Sequence, residues 1–157
     1  MKAAVAALLL LLAPVGAAAA LDAPPTPTAN AQLRTVPLTL TARGRARSYT
    51  VEVAATALEQ DRGLMFRTRM TAHRGMIFPF EPPRTATFWM ENTVLPLDLI
   101  FIAPDRRVLR IAADARPYSR EIIASGGVVA AVLELNAGTA ARIGLQPGDR
   151  VEYTLGR

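Results

Sequence analysis

From Val36 onward, apolar residues recur at every second position in short runs separated by turn residues, the period of a strand with one face buried. Val36, Leu38 and Leu40 alternate with polar or small residues, Arg43 to Arg47 forms a turn, and Tyr49, Val51 and Val53 alternate again, so the pattern predicts a hairpin. Thr56-Ala57-Leu58-Glu59 has the spacing of a capping box and predicts a short helix, closed by Gly63 in the left-handed conformation. Leu64, Met65 and Phe66 then read as core, and Arg67 to Arg74 as an irregular polar loop. Gly75 to Phe80 reads as a strand broken at Glu81-Pro82-Pro83, because proline lacks the ladder donor.

Thr85 to Ile102 is the stretch around which the rest is organised. Thr85 to Glu91 predicts a strand with Ala86, Phe88 and Met90 on one face and Thr87, Trp89 and Glu91 on the other; Asn92-Thr93 turns the chain. Pro96 to Ala103 predicts another, with Leu97, Leu99 and Phe101 on one face and Asp98 beside Ile100 and Ile102 on the opposite one. Pro104-Asp105-Arg106 turns into a paired strand through Val108, Leu109 and Ile111, while Ser125-Gly126-Gly127 marks a flexible tip. Val128 to Leu135 is a nearly continuous apolar strand interrupted by Glu134; Asn136 is placed to cap a short helix through Ile143 that ends at Gly144, and Pro147-Gly148-Asp149 leads into a last strand, Val151 to Leu155. Many short antiparallel strands with two short helices predict a mainly β fold, a β-sandwich or partly open barrel.

The alternating pattern does not extend to the N-terminus. Met1-Lys2, the leucine-rich run Val5 to Val15 and the small residues Ala17 to Ala20 read as a secretory signal peptide, residues 1–20; the run is too short to be a membrane span. Residues 21–34, with Pro24, Pro25 and Pro27, read as a flexible linker, and residues 35–157 as a single globular domain. The expected compartment is therefore periplasmic or extracellular, with no stable membrane span once the leader is removed.

Composition narrows the chemistry. The chain has no cysteine, which excludes disulfides, thiolate metal sites and a lipid-modified N-terminal cysteine. One histidine and no ligand spacing give no basis for a metal centre or other cofactor, and His73 reads as a surface side chain of a loop. Without Lys2, the only lysine, the 18 basic residues become 17 arginines against 13 acidic residues, a net charge of +4. Those arginines are scattered rather than clustered, so no nucleic-acid partner is expected.

Asp98 and Glu134 each place a carboxyl among apolar strand residues, which is costly unless the acid is paired or hydrogen-bonded. Arg62 and Arg67 flank the turn after the first helix, and a guanidinium fork matches a carboxylate in two bonds; they are the expected partners. Truncating one member of such a buried pair costs about 3–5 kcal/mol. A structural network is one use of these residues. The other is a ligand pocket built from Arg62, Arg67, Trp89, Asn92, Thr93, Asp98 and Glu134, with Trp89 as a flat platform, Asn92 and Thr93 as polar contacts and arginine selecting an anionic or carbonyl group.

Glu59 through Arg67, Gly75-Met76-Ile77-Phe78, Phe88-Trp89-Met90-Glu91-Asn92-Thr93 and Pro96 through Phe101 occur in that order, followed by Leu133-Glu134-Leu135 with Gly138 and by Gly144 through Val151. Together they resemble the family called domain of unknown function 192, or uncharacterised protein family 0127, over Val36 to Leu155. The resemblance implies a compact, mainly β fold with short helices, members that often carry an export signal or lipoprotein leader, and no established activity. Gly144 through Val151 also resembles the helix–turn–strand passage of PDZ domains, but no glycine-rich carboxylate-binding loop accompanies it.

Three functions follow as expectations. The first is a non-catalytic, monomeric binding or accessory module for a small polar or anionic envelope molecule or an envelope protein. The second is a glycan-directed hydrolase with Asp98 and Glu134 as acid and base, which needs the carboxyl groups roughly 5–9.5 Å apart at an open cleft. The third is a structural subunit of an envelope assembly.

Overall fold

The computed structural model describes residues 28–156; the expected leader and most of the proline-rich stretch lie outside the described residues. The elements are β1 (Thr35–Ala42), β2 (Arg45–Val53), α1 (Ala57–Arg62), β3 (Arg74–Arg84), β4 (Thr87–Phe88), β5 (Leu97–Ile102), β6 (Val108–Ala115), β7 (Ile123–Ala124), β8 (Val129–Asn136), α2 (Thr139–Ile143) and β9 (Arg150–Tyr153). Seven strands form one sheet in the order β6-β5-β8-β3-β2-β1-β9, and β4 pairs with β7 apart from it. The mainly β class with two short helices is the one the alternating pattern predicts.

The sheet curls until its outer strands meet at one end. Arg107 bridges to Arg150, Val108 N–H donates to the Asp149 carbonyl at 2.9 Å and Val151 N–H to the Arg106 carbonyl at 2.9 Å. No ladder continues from that point, so the barrel stays partly open. Leu38 and Leu40 of β1, Val51 of β2, Ile100 and Ile102 of β5, Leu133 of β8 and Val151 of β9 share one apolar cluster. Only the concave face of a curled sheet lets side chains from such distant strands meet. Met76, Phe78, Leu97, Leu99, Phe101 and Val132 form a second cluster on the other face, with Leu64 and Met90 from outside the sheet. β5 is buried along its whole length because it serves both clusters on alternate residues.

One pairing departs from the antiparallel expectation: β2 and β3 are parallel, Val51 opposite Gly75 and Val53 opposite Ile77. A parallel neighbour requires a crossover, and α1 with its flanking loops supplies it. The capping box is present: Thr56 Oγ1 accepts from Glu59 N–H at 3.3 Å, and the Glu59 carboxylate accepts from Thr56 N–H at 2.8 Å. Gly63 closes α1 with φ 46° and ψ −131°, positive in φ but outside the left-handed helical region predicted for it. A side chain there would stand 3.2 Å from the Phe78 ring, so glycine also allows the helix end to lie on β3.

Other local expectations need correction. β3 does not stop before the two prolines; it runs to Arg84, with its register against β8 slipping between Pro79 and Arg84. Of Thr85 to Glu91, only Thr87 and Phe88 are paired as a strand, since the chain leaves the sheet after β3 and crosses its face, although Ala86 and Met90 remain buried and Thr87 exposed. Ser125 is not a flexible tip: it is buried, accepts from Ala86 N–H at 3.1 Å and donates to the Gly127 carbonyl at 2.7 Å. Asn136 does not cap α2. Its amide donates to the Met70 carbonyl at 2.9 Å, while Gly138 (φ 76°) occupies the cap position without a side-chain bond.

Candidate functional site

Two chain segments stand over the second cluster with a gap between them. One is α1 with the turn after it, fixed to β3 by Gln60, whose amide donates to the Ala54 and Pro79 carbonyls at 3.1 and 2.9 Å. Asn30 holds the other end of that helix, donating to the Glu59 and Gly63 carbonyls at 3.0 Å each, so this part of the expected linker is fastened to the domain. The second segment, residues 84–93, is held by the β4–β7 pair, by Met90 N–H on the Ser119 carbonyl at 2.8 Å and by an Arg120–Glu91 ion pair at 2.6 Å. Phe66 N–H donates to the Asn92 carbonyl at 2.9 Å and joins the two segments at one end.

The gap is a pocket of about 440 Å³. Its walls are Gln60 to Met65 on one side and Arg84 to Trp89 with Thr93 on the other; Phe78, Phe80 and Glu134 complete it from the sheet. Phe88 meets Phe78 edge to face, centroids 5.1 Å apart, and the Arg84 guanidinium lies 4.5 Å above the Phe80 ring. Trp89 is 46% exposed although it is the largest apolar side chain of the region. Aromatic rings and polar or charged side chains thus share the lining, a mixture that suits a small molecule with both an apolar body and polar groups.

Glu134 is the chemical anomaly of this pocket. It is 5% exposed and stands on β8 between Met76 of β3 and Leu99 of β5, both fully buried. Among the described residues no hydrogen-bond donor or cation reaches its carboxyl. Desolvation by burial pushes its pKa from 4.5 to about 8, so at neutral pH the free protein holds it protonated, able both to donate and to accept.

The expected neutralisation of Asp98 and Glu134 by Arg62 and Arg67 is contradicted. Asp98 is fully buried, but its partners are backbone amides: Asp114 N–H at 2.9 Å and Gly138 N–H at 3.2 Å on Oδ1, and Ala140 N–H at 2.8 Å on Oδ2. It is the distant cap of α2. Arg67 pairs with Glu52 instead, through two bonds of 2.6 and 2.8 Å. Burial pushes the Glu52 carboxyl up, but the Arg67 hydrogen bond, the Leu33 N–H and the charges of Arg67 and Arg74 outweigh it and hold the carboxyl below its ordinary value. An Arg–carboxylate contact does therefore tie the turn after α1 to the sheet, with Glu52 as the acid.

The proposed acid–base pair is excluded by register. Leu99 stands opposite Glu134 and Asp98 opposite Leu135, so the two carboxyls project from opposite faces of the sheet. Of the seven residues read as a ligand site, Arg62, Trp89, Thr93 and Glu134 line the pocket. Arg67 lies in a shallower depression with Glu52, Arg69 and Arg74; Asn92 turns the chain at φ 55° with its amide 3.9 Å from the Met65 sulfur; Asp98 is on the far face. The lining residues Gln60, Phe78, Phe80, Arg84 and Phe88 escaped the sequence reading. No local pattern points to them, because β3 runs through Pro82 and Pro83 to Arg84 and only then does the chain leave the sheet to cross its face. No group of three or more potential metal-ligating side chains is found among the described residues, and no helix there is long and apolar enough to cross a membrane.

Fold and pocket together define a small mainly β module that carries one face of its curled sheet under a helix and a strap. Residues 38–153 match the family model of domain of unknown function 192, described as an uncharacterized ACR, and the chain belongs to that family. Among solved structures it is similar to a Novosphingobium aromaticivorans DSM 12444 protein of unknown function, at 47% identity and TM-score 0.76 over 87% of this chain and 98% of that one. It is also similar to a Sinorhizobium meliloti 1021 protein described provisionally as a transcription regulator, at 42% identity and TM-score 0.76 over 79% of this chain and 97% of that one. No curated protein matches.

Proposed function

We propose that this chain is a non-catalytic binding protein of the cell envelope, a monomer that takes a small polar organic molecule into the pocket between α1 and residues 84–93. The observation that carries this reading is Glu134: a buried carboxyl without a partner of its own, opening into an aromatic-walled space of about 440 Å³. No protein donor or cation among the described residues engages that carboxyl, so a ligand group entering the pocket meets no competing partner there. The hydrolase reading has lost its geometry. A nucleic-acid role, raised by the description of the S. meliloti protein, finds little support: Arg67 and Arg120 are engaged by carboxylates, and Arg84, Arg106 and Arg110 lie over aromatic rings.

The chain contains one tryptophan, so its fluorescence reports on the pocket directly. Titration with a library of envelope-sized metabolites, together with mass spectrometry of small molecules released from protein purified from its native host, tests the reading. Saturable change in Trp89 emission, lost in Glu134→Gln, supports it; a chain that carries nothing and responds to nothing refutes it. Export is a separate part of the proposal. The mature N-terminus of the native protein, read by intact mass, should fall between residues 17 and 22, and retention of Met1 refutes cleavage.

A further inference from the structure

Resting on the pocket reading above, the sorting of charge within that pocket narrows the ligand. The acid is deep: Glu134 lies on the sheet, between the apolar side chains of Met76 and Leu99. The bases are shallow: Arg62 on α1 and Arg84 at the end of β3 line the same space, and among the described residues neither is in an ion pair. Asp61 on α1 offsets one of them, leaving the mouth with net positive charge. The strap contributes Thr85, Thr87 and Thr93, none of them titratable, so Asp61, Arg62 and Arg84 are the charged groups that face Glu134 from the elements around it. An unpaired acid at depth and unpaired bases at the mouth, with phenyl rings between, form a mould for a molecule with its cation leading and its anion trailing.

We infer that the ligand is an amino-acid-like zwitterion with an apolar body, its ammonium group placed against Glu134 and its carboxylate held between Arg62 and Arg84. The ammonium gains charge-assisted hydrogen bonds from a buried carboxylate and shares the pocket with aromatic rings whose faces favour a cation. The trailing carboxylate matches the guanidinium forks. Insertion of the cation moves the Glu134 proton to solvent, because a carboxyl that burial keeps neutral becomes ionised once a positive charge sits beside it. Binding and proton release are then one event.

Three probes separate the parts: phenylalanine carries both charges, phenethylamine only the cation, and 3-phenylpropionate only the anion. Each is titrated into the purified chain at pH 6 and pH 8, followed by Trp89 emission and by calorimetry. Phenylalanine should bind best, phenethylamine more weakly and 3-phenylpropionate not measurably. Since only ionised Glu134 accepts the ammonium, phenylalanine affinity should be about fiftyfold higher at pH 8 than at pH 6. Calorimetry in buffers of different ionisation enthalpy should register the released proton at pH 7. Glu134→Gln should bind at least tenfold more weakly at pH 8 and lose the pH dependence, and Arg62→Ala with Arg84→Ala should reduce phenylalanine to the affinity of phenethylamine. A thermal melt of each variant confirms that it is folded, and the wild-type pH profile stands without any variant.

Binding of 3-phenylpropionate as tight as that of phenylalanine, or affinity that rises as the pH falls, overturns the inference and leaves the small-molecule pocket standing. Silence from all three probes also overturns it. The pocket reading itself fails only if the metabolite library and the natively purified protein are silent as well.

Discussion

Replacing Glu134 by Gln removes a buried acid that has no partner among the described residues, and the change in stability has a definite sign. In the unfolded chain the carboxyl titrates at 4.5; in the folded protein burial moves it to about 8. Between those values the folded state binds more protons than the unfolded one. Stability contributed by this group is thus fully present below pH 4.5 and is lost as pH rises to about 8. At about 1.4 kcal/mol for each tenfold, the total loss is about 5 kcal/mol, of which about 3 kcal/mol has gone by pH 7 and under 1 kcal/mol by pH 5. Gln has the shape of the protonated acid and does not titrate. Glu134→Gln should therefore be close to wild type at pH 5, more stable by about 2–3 kcal/mol at pH 7 and by about 4–5 kcal/mol at pH 9. Urea denaturation of both proteins at those three pH values measures the difference, and all other titrating groups cancel in it. A difference that stays flat from pH 5 to pH 9, or a Gln variant less stable at pH 9, would refute the reasoning, because either result means that Glu134 ionises in the folded protein as it does in water.

Other sites give predictions of opposite sense. Asp98→Ala should cost about 3–5 kcal/mol, since it empties a fully buried position and orphans the buried amide of Ala140 and the part-buried amides of Asp114 and Gly138, and hydrogen exchange at Ala140 should accelerate; unchanged exchange would show that α2 needs no cap from β5. Glu52→Gln leaves the Arg67 guanidinium without its carboxylate and should cost about 1–3 kcal/mol at pH 7 by chemical denaturation. The Glu52 contribution, from a carboxyl held below its ordinary value, is present above pH 4.5 and lost as pH falls through its folded value, so the variant should approach wild type in acid; a constant gap would contradict the ion pair as the cause. Gly75→Ala would place a Cβ 2.5 Å from the Glu134 carbonyl oxygen, pushing β3 off β8, and should lower stability by about 1–3 kcal/mol or prevent folding, as a thermal melt will read.

Where a residue's role depended on its own strand, the pattern was legible. Leu97, Leu99 and Phe101 lie in one cluster and Ile100 and Ile102 in the other, as period two requires, and Thr56 with Glu59 makes the reciprocal cap that its spacing predicts. Where the role depended on what crosses over, it was not. Asp98 looked like an acid in need of a cation because a sequence displays side-chain charges and hides backbone amides; the donors it uses arrive from residues 114, 138 and 140. Glu52 alternates with Val51 and Val53 and so reads as a solvent-facing residue, yet the crossover after α1 drops Arg67 onto it. Glu134 reads as costly from its apolar neighbours along β8, and among the described residues no partner offsets that cost. Its neighbours on either side, Met76 and Leu99, become visible only with the sheet order. The pocket walls were the least legible part, since one of them is built from a strap that leaves the sheet after Arg84 rather than from a strand within it.

The protonation state of Glu134 decides what the pocket can hold, and carbon-13 NMR of its side-chain carboxyl, assigned by comparison with Glu134→Gln, reads that state directly. The free protein should show the Glu134 resonance titrating with a midpoint near pH 8, falling well below that when phenylalanine is added. A midpoint near 4.5 in the free protein would mean that water or an unseen partner already serves this group, and would contradict both the buried neutral acid and the pocket built around it.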